Sequence, residues 1–165
     1  MIGGILHMIA VRLDLMKFLT IPISEKWFGR NKTWRGFVVM PLASQLGLYL
    51  TLALPLHSPD LPINLFDPQL HWLGWVLGFF YVLFELPNSW MKRRLGIAPG
   101  KIPDQQKFLF ILLDRLDSVA GVILAYALFT KAPASVLVFM IFVSPGIQFA
   151  VVHALYRAGL RQEPY

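Results

Sequence analysis

The sequence predicts an all-α fold: a polytopic integral membrane helical bundle with four to five transmembrane helices, residues 1–165 forming one membrane-embedded domain. Three observations predict it. Hydrophobic residues make up 56% of the chain and charged residues 15%, where a soluble domain carries about 25% charged residues. Several apolar stretches reach the ~20 residues that a helix needs to cross a bilayer. The basic residues gather in alternate connecting segments, as they do in cytoplasmic loops.

The elements follow in chain order. The first 20 residues, MIGGILHMIAVRLDLMKFLT, are apolar but interrupted by Arg12, Asp14 and Lys17. They read as an interfacial amphipathic helix, with a short first span ending near Met8 as the alternative. Gly36 to Leu56 has no charged residue and predicts a span. A second span starts near Leu70, in LHWLGWVLGFFYVLFELPNSW, with Glu85 and Pro87 interrupting its far end. Pro87 removes a backbone donor, so a break or kink is expected just past Glu85. Phe108 to Phe129 and Ala132 to Tyr156 complete the set.

Charge fixes the orientation. The segment Lys26–Arg35 holds four basic residues and Lys92–Lys107 holds five, whereas His57–Gln69 holds none. Segments 24–35, 90–107 and 157–165 are therefore expected to be cytoplasmic, and 57–69 and 130–134 external. The chain is expected in the cell membrane as a multi-pass protein with its active site facing the cytoplasm. A net charge of +6 would suggest nucleic acid in a soluble domain, but this distribution assigns the cations to the membrane face, and no nucleic acid partner is expected. The absence of cysteine excludes thiolate catalysis, disulfides and Cys-ligated zinc. The N-terminus shows no cleavable-signal pattern. Oligomeric state is left open between a monomer and a homodimer.

The chemistry concentrates in three places. Asp114 and Asp117, at i and i+3, share one helical face, which Ser118 and Gly121 continue, while Arg115 points about 100° away. Asp114 lies six residues past Phe108, or about 9 Å into the helix from its cytoplasmic start. Glu85 approaches a similar depth on a helix of opposite direction. Carboxylates inside a span are costly and are functional by default. Hard oxygens near arriving phosphates suit Mg²⁺. The two basic loops, FGRNKTWRG (Phe28–Gly36) and KRRLGIAPGK (Lys92–Lys101), mix cations with glycine, Asn31 and Thr33 in the manner of a phosphate-holding turn. Neither matches a Walker A sequence. His153 stands alone on its span and reads as structural.

Together, NSWMKRRLGI, the Gly-Pro-rich loop after it, and LLDRLDS resemble the signature of the membrane CTP:phosphatidate cytidylyltransferases, in which an S-x-x-K-R block precedes a D-R-x-D-S block. FGRNKTWRGF is similar to the CDP-archaeol synthase branch of that family. The resemblance implies a Mg²⁺-dependent enzyme that moves CMP from CTP to a phosphorylated lipid acceptor in the bilayer, giving a CDP-lipid of the archaeol or diacylglycerol type and pyrophosphate. It implies a metal site at Asp114 and Asp117, with Glu85 where the family usually has Asp, four residues before Ser89. It implies that Lys92 and Arg93 act with the aspartates in catalysis, and that Asn31, Lys32, Thr33 and Arg35, with Ser89 and Ser118, hold the nucleotide. The P-G-H-G-G run of the bacterial enzymes is replaced by Pro103–Asp104–Gln105–Gln106, and the N-terminal region is shorter than in the archaeal relatives. Two other classes fit the sequence less well. A CDP-alcohol phosphotransferase needs further spaced aspartates, and no acidic residue follows Asp117 until Glu163. A small transporter, or a non-catalytic member of the family, is the remaining alternative, although transporters commonly show repeated halves and no repeat is evident.

Overall fold

A computed structural model of the chain describes residues 2–53, 71–103, 106–157 and 159. The expected outer loop 57–69 and most of the tail after Arg157 lie outside the described residues. The described chain is helical throughout: α1 (Ile2–Arg12), a 3₁₀ turn (Lys17–Leu19), a short α2 (Glu25–Phe28), α3 (Trp34–Ala53), α4 (Leu73–Arg94), α5 (Lys107–Thr130) and α6 (Ala134–Arg157). Of these, α3 and α6 are long and apolar enough to cross a membrane. The helices α4 and α5 have comparable lengths, 22 and 24 residues, but carry the charged residues of the site.

Small residues set the packing. A side-chain carbon on Gly78 of α4 would lie 2.5 Å from Pro41 Cα on α3, and one on Gly74 would lie 2.5 Å from Gln45 Cα. The two backbones therefore touch where their glycines face them, a device common between membrane helices. As the numbers rise on α3 they fall on α4, so the pair is antiparallel. Buried Gln45 fits this contact by accepting the Trp75 N–H with Oε1 at 3.2 Å. The α4–α5 pair repeats the pattern: a carbon on Gly121 would lie 2.5 Å from the Phe80 carbonyl oxygen and 2.8 Å from Phe84 Cβ. On the other flank, Arg115 of α5 lies over the Phe149 ring of α6, 5.2 Å from its centroid.

Two features differ from the sequence expectation. The helix α1 does not lie across the ends of the others. It runs antiparallel alongside α3, with Gly3 buried against Ser44 and beside Gly47, while Asp14, just beyond its end, pairs with Arg35 at 3.1 Å. Its small-residue face GG (Gly3–Gly4) permits that approach, and its charges cluster past its C-terminal end. Nor does α4 break after Glu85. Pro87 sits inside a helix that continues to Arg94, because Asn88 and Lys92 on the next turns find partners on α5.

Candidate functional site

The uninterrupted α4 places Glu85, Asn88 and Lys92 on one stripe, three and four residues apart. On α5, Asp114, Asp117, Ser118 and Gly121 form the facing stripe, as their spacing predicted. The two stripes meet. Lys92 Nζ donates to both oxygens of Asp114, at 2.5 and 2.6 Å, and lies over the Phe110 ring. Asn88 Nδ2 donates to Asp114 Oδ1 at 2.6 Å and to Asp117 Oδ2 at 2.8 Å. The second oxygen of Asp117 accepts the backbone N–H of Ser118. Lys92 is buried, its side chain 10% exposed, and Asp114 remains 36% exposed, so the cluster opens on the Asp114 side.

Asn88 is the residue that sequence reasoning missed. Its signal was its place on the Glu85–Lys92 stripe, hidden by the expectation that Pro87 would end the helix. Ser118 is 1% exposed and lies in the α4–α5 interface, where its small size serves the crossing. Ser89 is half-buried and makes no hydrogen bond within the cluster.

Glu85 does not join the two aspartates. It pairs with Lys32 across the bundle, and among the described residues no three His, Cys, Asp or Glu side chains gather as a metal-binding group. Of the expected three-carboxylate set, Glu85 is paired with Lys32, and Asp114 and Asp117 come together on Asn88. The pair still suits a small hard cation: one carboxylate oxygen from each aspartate converges on a single point, the Asn88 nitrogen. Mg²⁺ is usually held by one or two carboxylates plus substrate phosphates.

The two basic loops, distant in sequence, come together. Ile23 N–H donates to the Lys32 carbonyl at 2.9 Å and Trp34 N–H to the Ile21 carbonyl at 3.1 Å, so the Asn31–Thr33 turn is clamped against the preceding segment. Gly29, at φ 86°, turns the chain in a conformation open to glycine. A side-chain carbon there would lie 2.9 Å from Pro99 and 3.2 Å from Arg93 Nη1 of the other loop. Asn31 Nδ2 similarly abuts Gly100. Of the four cations nominated from sequence, Lys32, Arg35 and Lys92 are paired with Glu85, Asp14 and Asp114. Arg93 differs: its Nε and Nη1 are buried and have no hydrogen-bond partner. A guanidinium stays charged and donates in a planar fork matched to phosphate, and here two of its buried donors are unused.

Beside this cluster lies a cavity of about 760 Å³, walled by α1, α3, α4, α5 and α6. Its polar rim includes Asn31, Lys32, Thr33, Arg35, Glu85 and Arg115; the remainder is mainly apolar, with Ile5, Met8, Leu48, Val122 and Leu155 among its lining. Asp114, Asp117 and Lys92 lie outside that lining. The site therefore has two compartments, which meet at the Lys32–Glu85 pair and α5.

Comparison with known proteins places the chain in a family. The CarS-like CDP-archaeol synthase family model matches residues 11–165. The chain belongs to the CDP-archaeol synthase family. It is similar to the CDP-archaeol synthase of Thermofilum pendens, 33% identical over 157 residues that cover 93% of this chain and 67% of the relative. It is also similar to the CDP-archaeol synthase of Archaeoglobus fulgidus, 29% identical over 151 residues covering 86% of this chain and 78% of the relative. No solved structure matches. Within the CDP-archaeol synthase match fall all the nominated residues, from Asn31 to Ser118, together with Asn88.

Proposed function

We propose that the chain is a Mg²⁺-dependent integral membrane cytidylyltransferase that transfers CMP from CTP to an archaeol-type lipid phosphate. The observation that carries this reading is Arg93: a cation with unused buried donors, in the last turn of α4 against Gly29 and one residue from Lys92, whose ammonium sits on Asp114. Membership of the CDP-archaeol synthase family supports the reaction class.

The chemistry follows from the two compartments. An oxygen of the lipid phosphate attacks the α-phosphorus of CTP, the bond from that phosphorus to the bridging oxygen of the β-phosphate breaks, and pyrophosphate leaves. A Mg²⁺ ion held by Asp114 and Asp117 would supply Lewis acidity and a template for the phosphates. Arg93 binds the triphosphate, and Gly29 and Asn31 let its oxygens approach the loop backbone. Lys92 stabilises charge that builds on the leaving group. Lys32 and Arg35 stand on the rim of the apolar cavity, where they orient the acceptor phosphate while its chains lie against Met8, Leu48 and Leu155. A cavity of this size falls within the roughly 300–1,000 Å³ of small-molecule sites. Placing both phosphates beforehand is the main catalytic contribution of these residues.

In this reading α3, α4, α5 and α6 cross the cell membrane. Lys92 of α4 faces Asp114 of α5, Glu85 faces Lys32 and Arg115 lies against α6, so these charges find protein partners, as membrane-buried charges do, and the basic loops face the cytoplasm. The chain has no cysteine, so single substitutions report orientation cleanly. Glu25→Cys should react with an impermeant maleimide only from the cytoplasmic side, and Lys131→Cys only from the outer side. The reverse pattern would overturn the orientation.

The direct test uses purified protein in lipid nanodiscs with CTP labelled at the α-phosphate, Mg²⁺ and a panel of ether- and ester-linked lipid phosphates. Label should pass into the organic phase as a CDP-lipid, with the ether acceptor preferred. Arg93→Ala should raise the KM for CTP at least about tenfold, the scale of one lost charge-assisted contact. Folded wild-type protein that transfers label to no acceptor would sink the assignment.

A further inference from the structure

We propose that Asn88 exchanges its role with the state of the carboxylate pair: without a cation its amide nitrogen joins Asp114 to Asp117, and with a divalent cation the amide turns over and presents Oδ1 as a third protein oxygen ligand. The inference rests on the metal reading given above. It starts from an asymmetry within one side chain. Nδ2 makes two short hydrogen bonds, 2.6 Å to Asp114 and 2.8 Å to Asp117. Oδ1 of the same amide is buried and has no hydrogen-bond partner. A buried carbonyl without a donor is disfavoured, so this side chain is fully satisfied at one end only.

The two ends of a carboxamide are nearly equal in size, and a half turn about its terminal torsion exchanges donor for acceptor at little steric cost. A cation seated between the aspartates would repel the N–H₂ group that now lies there and attract the carbonyl. The same rotation gives Oδ1 the cation as its partner and carries Nδ2 to the position that Oδ1 leaves. An Asp at position 88 would instead place a third carboxylate beside Asp114 and Asp117, with Lys92 as the neighbouring ammonium. Asn supplies a donor to the bare pair and an oxygen to the loaded pair with no change of charge. The backbone gives it a fixed base: α4 runs unbroken from Leu73 to Arg94, and Asn88 lies one turn from Lys92, whose buried ammonium anchors that stretch to α5. Glu85, the carboxylate nearest along the stripe, is committed to Lys32, which leaves the amide as the oxygen on α4 closest to hand.

Mn²⁺ as a spectroscopic stand-in for Mg²⁺ tests this without relying on turnover. Protein is prepared with asparagine labelled with ¹³C at the side-chain carbonyl, loaded with Mn²⁺ and examined by electron–nuclear double resonance, while Mn²⁺ affinity is measured by titration. The wild type should show hyperfine coupling to a carboxamide carbon at ligand distance. Asn88→Asp should bind Mn²⁺ at least as tightly but lose that coupling, and it should keep the fold where Asn88→Leu fails. Asn88→Leu, where folded, should bind Mn²⁺ at least tenfold more weakly. Mn²⁺-loaded wild type with no carboxamide coupling, or Asn88→Leu with wild-type affinity, would overturn the role of Asn88 and leave the metal site standing. A wild type that binds no Mn²⁺ would overturn the metal reading itself, and the inference with it.

Discussion

Asp117→Ala is expected to abolish CDP-lipid formation, with a fall in rate on the order of 10³-fold, or roughly 4 kcal/mol of transition-state stabilisation. Asp117 is placed by α5 so that one oxygen faces Asn88 and the other accepts the Ser118 N–H. Among the described residues it forms no ion pair, in contrast to Asp114, which is paired with Lys92. Its negative charge is therefore the one most available to an incoming ion. Asp117→Asn separates charge from shape, since it keeps the size of the side chain and its capacity to bond Asn88. If the charge is what matters, both variants lose activity while Asp117→Asn unfolds at the wild-type temperature. Wild-type turnover by either purified variant would remove Asp117 from the metal site.

Gly78→Leu is expected to have the largest effect on stability. The added Cβ would stand 2.5 Å from Pro41 Cα, 2.7 Å from Pro41 N and 2.7 Å from the Met40 carbonyl oxygen. All three are backbone atoms inside α3, so no side chain can swing aside. The helices must separate along the contact that also holds Gly74 against Gln45. Overpacking a tight interior commonly costs 1–3 kcal/mol, and a rigid backbone contact puts this case at about 3 kcal/mol or more. That is a drop of roughly 10 °C in the unfolding midpoint for a chain of this size, measured in detergent. Gly146→Ala on α6 is the matched control, because nothing lies within 4 Å of its added carbon. A midpoint for Gly78→Leu equal to the control would refute the close α3–α4 contact.

Much of the fold could be read from hydropathy. The spans of α3 and α6 follow from long uncharged runs and that of α5 from an apolar run that carries three charges in its first half, and the shared face of Asp114, Asp117 and Gly121 follows from helical periodicity. What could not be read is what depends on partners far away in sequence. Lys32 finds Glu85 53 residues on, and Arg35 finds Asp14 21 residues back. No local rule predicts either pairing, and the first of them gives Glu85 a cationic partner from a distant loop. Pro87 misled for a different reason. Its local cost is real, but Asn88 and Lys92 beyond it gain four hydrogen bonds to the aspartates of α5, and tertiary contacts outweigh one lost backbone bond. The same error concealed Asn88. The course of α1 was ambiguous because its polar residues crowd past one end, and only its glycine contact with Ser44 and Gly47 decides it.

The pairing of Lys92 with Asp114 and of Lys32 with Glu85 has a consequence for how ligands enter. In the resting protein these lysines serve as counter-ions to Glu85 and Asp114, which lets those two acids sit in a poorly solvating environment without being stranded. Binding is then an exchange of counter-ions. A nucleotide polyanion that captures Lys92 or Lys32 leaves a carboxylate bare, and bare carboxylates are costly away from water. A cation arriving alone meets Lys92 on Asp114 and finds Asp117 open, so it binds alone but more weakly than with the nucleotide. Each ligand thus removes the obstacle to the other, and the species best matched to the site is the nucleotide with its metal already attached. Added salt should weaken this entry less than it weakens the attraction of CTP to an open basic patch, since the exchange leaves the count of compensated charges nearly unchanged.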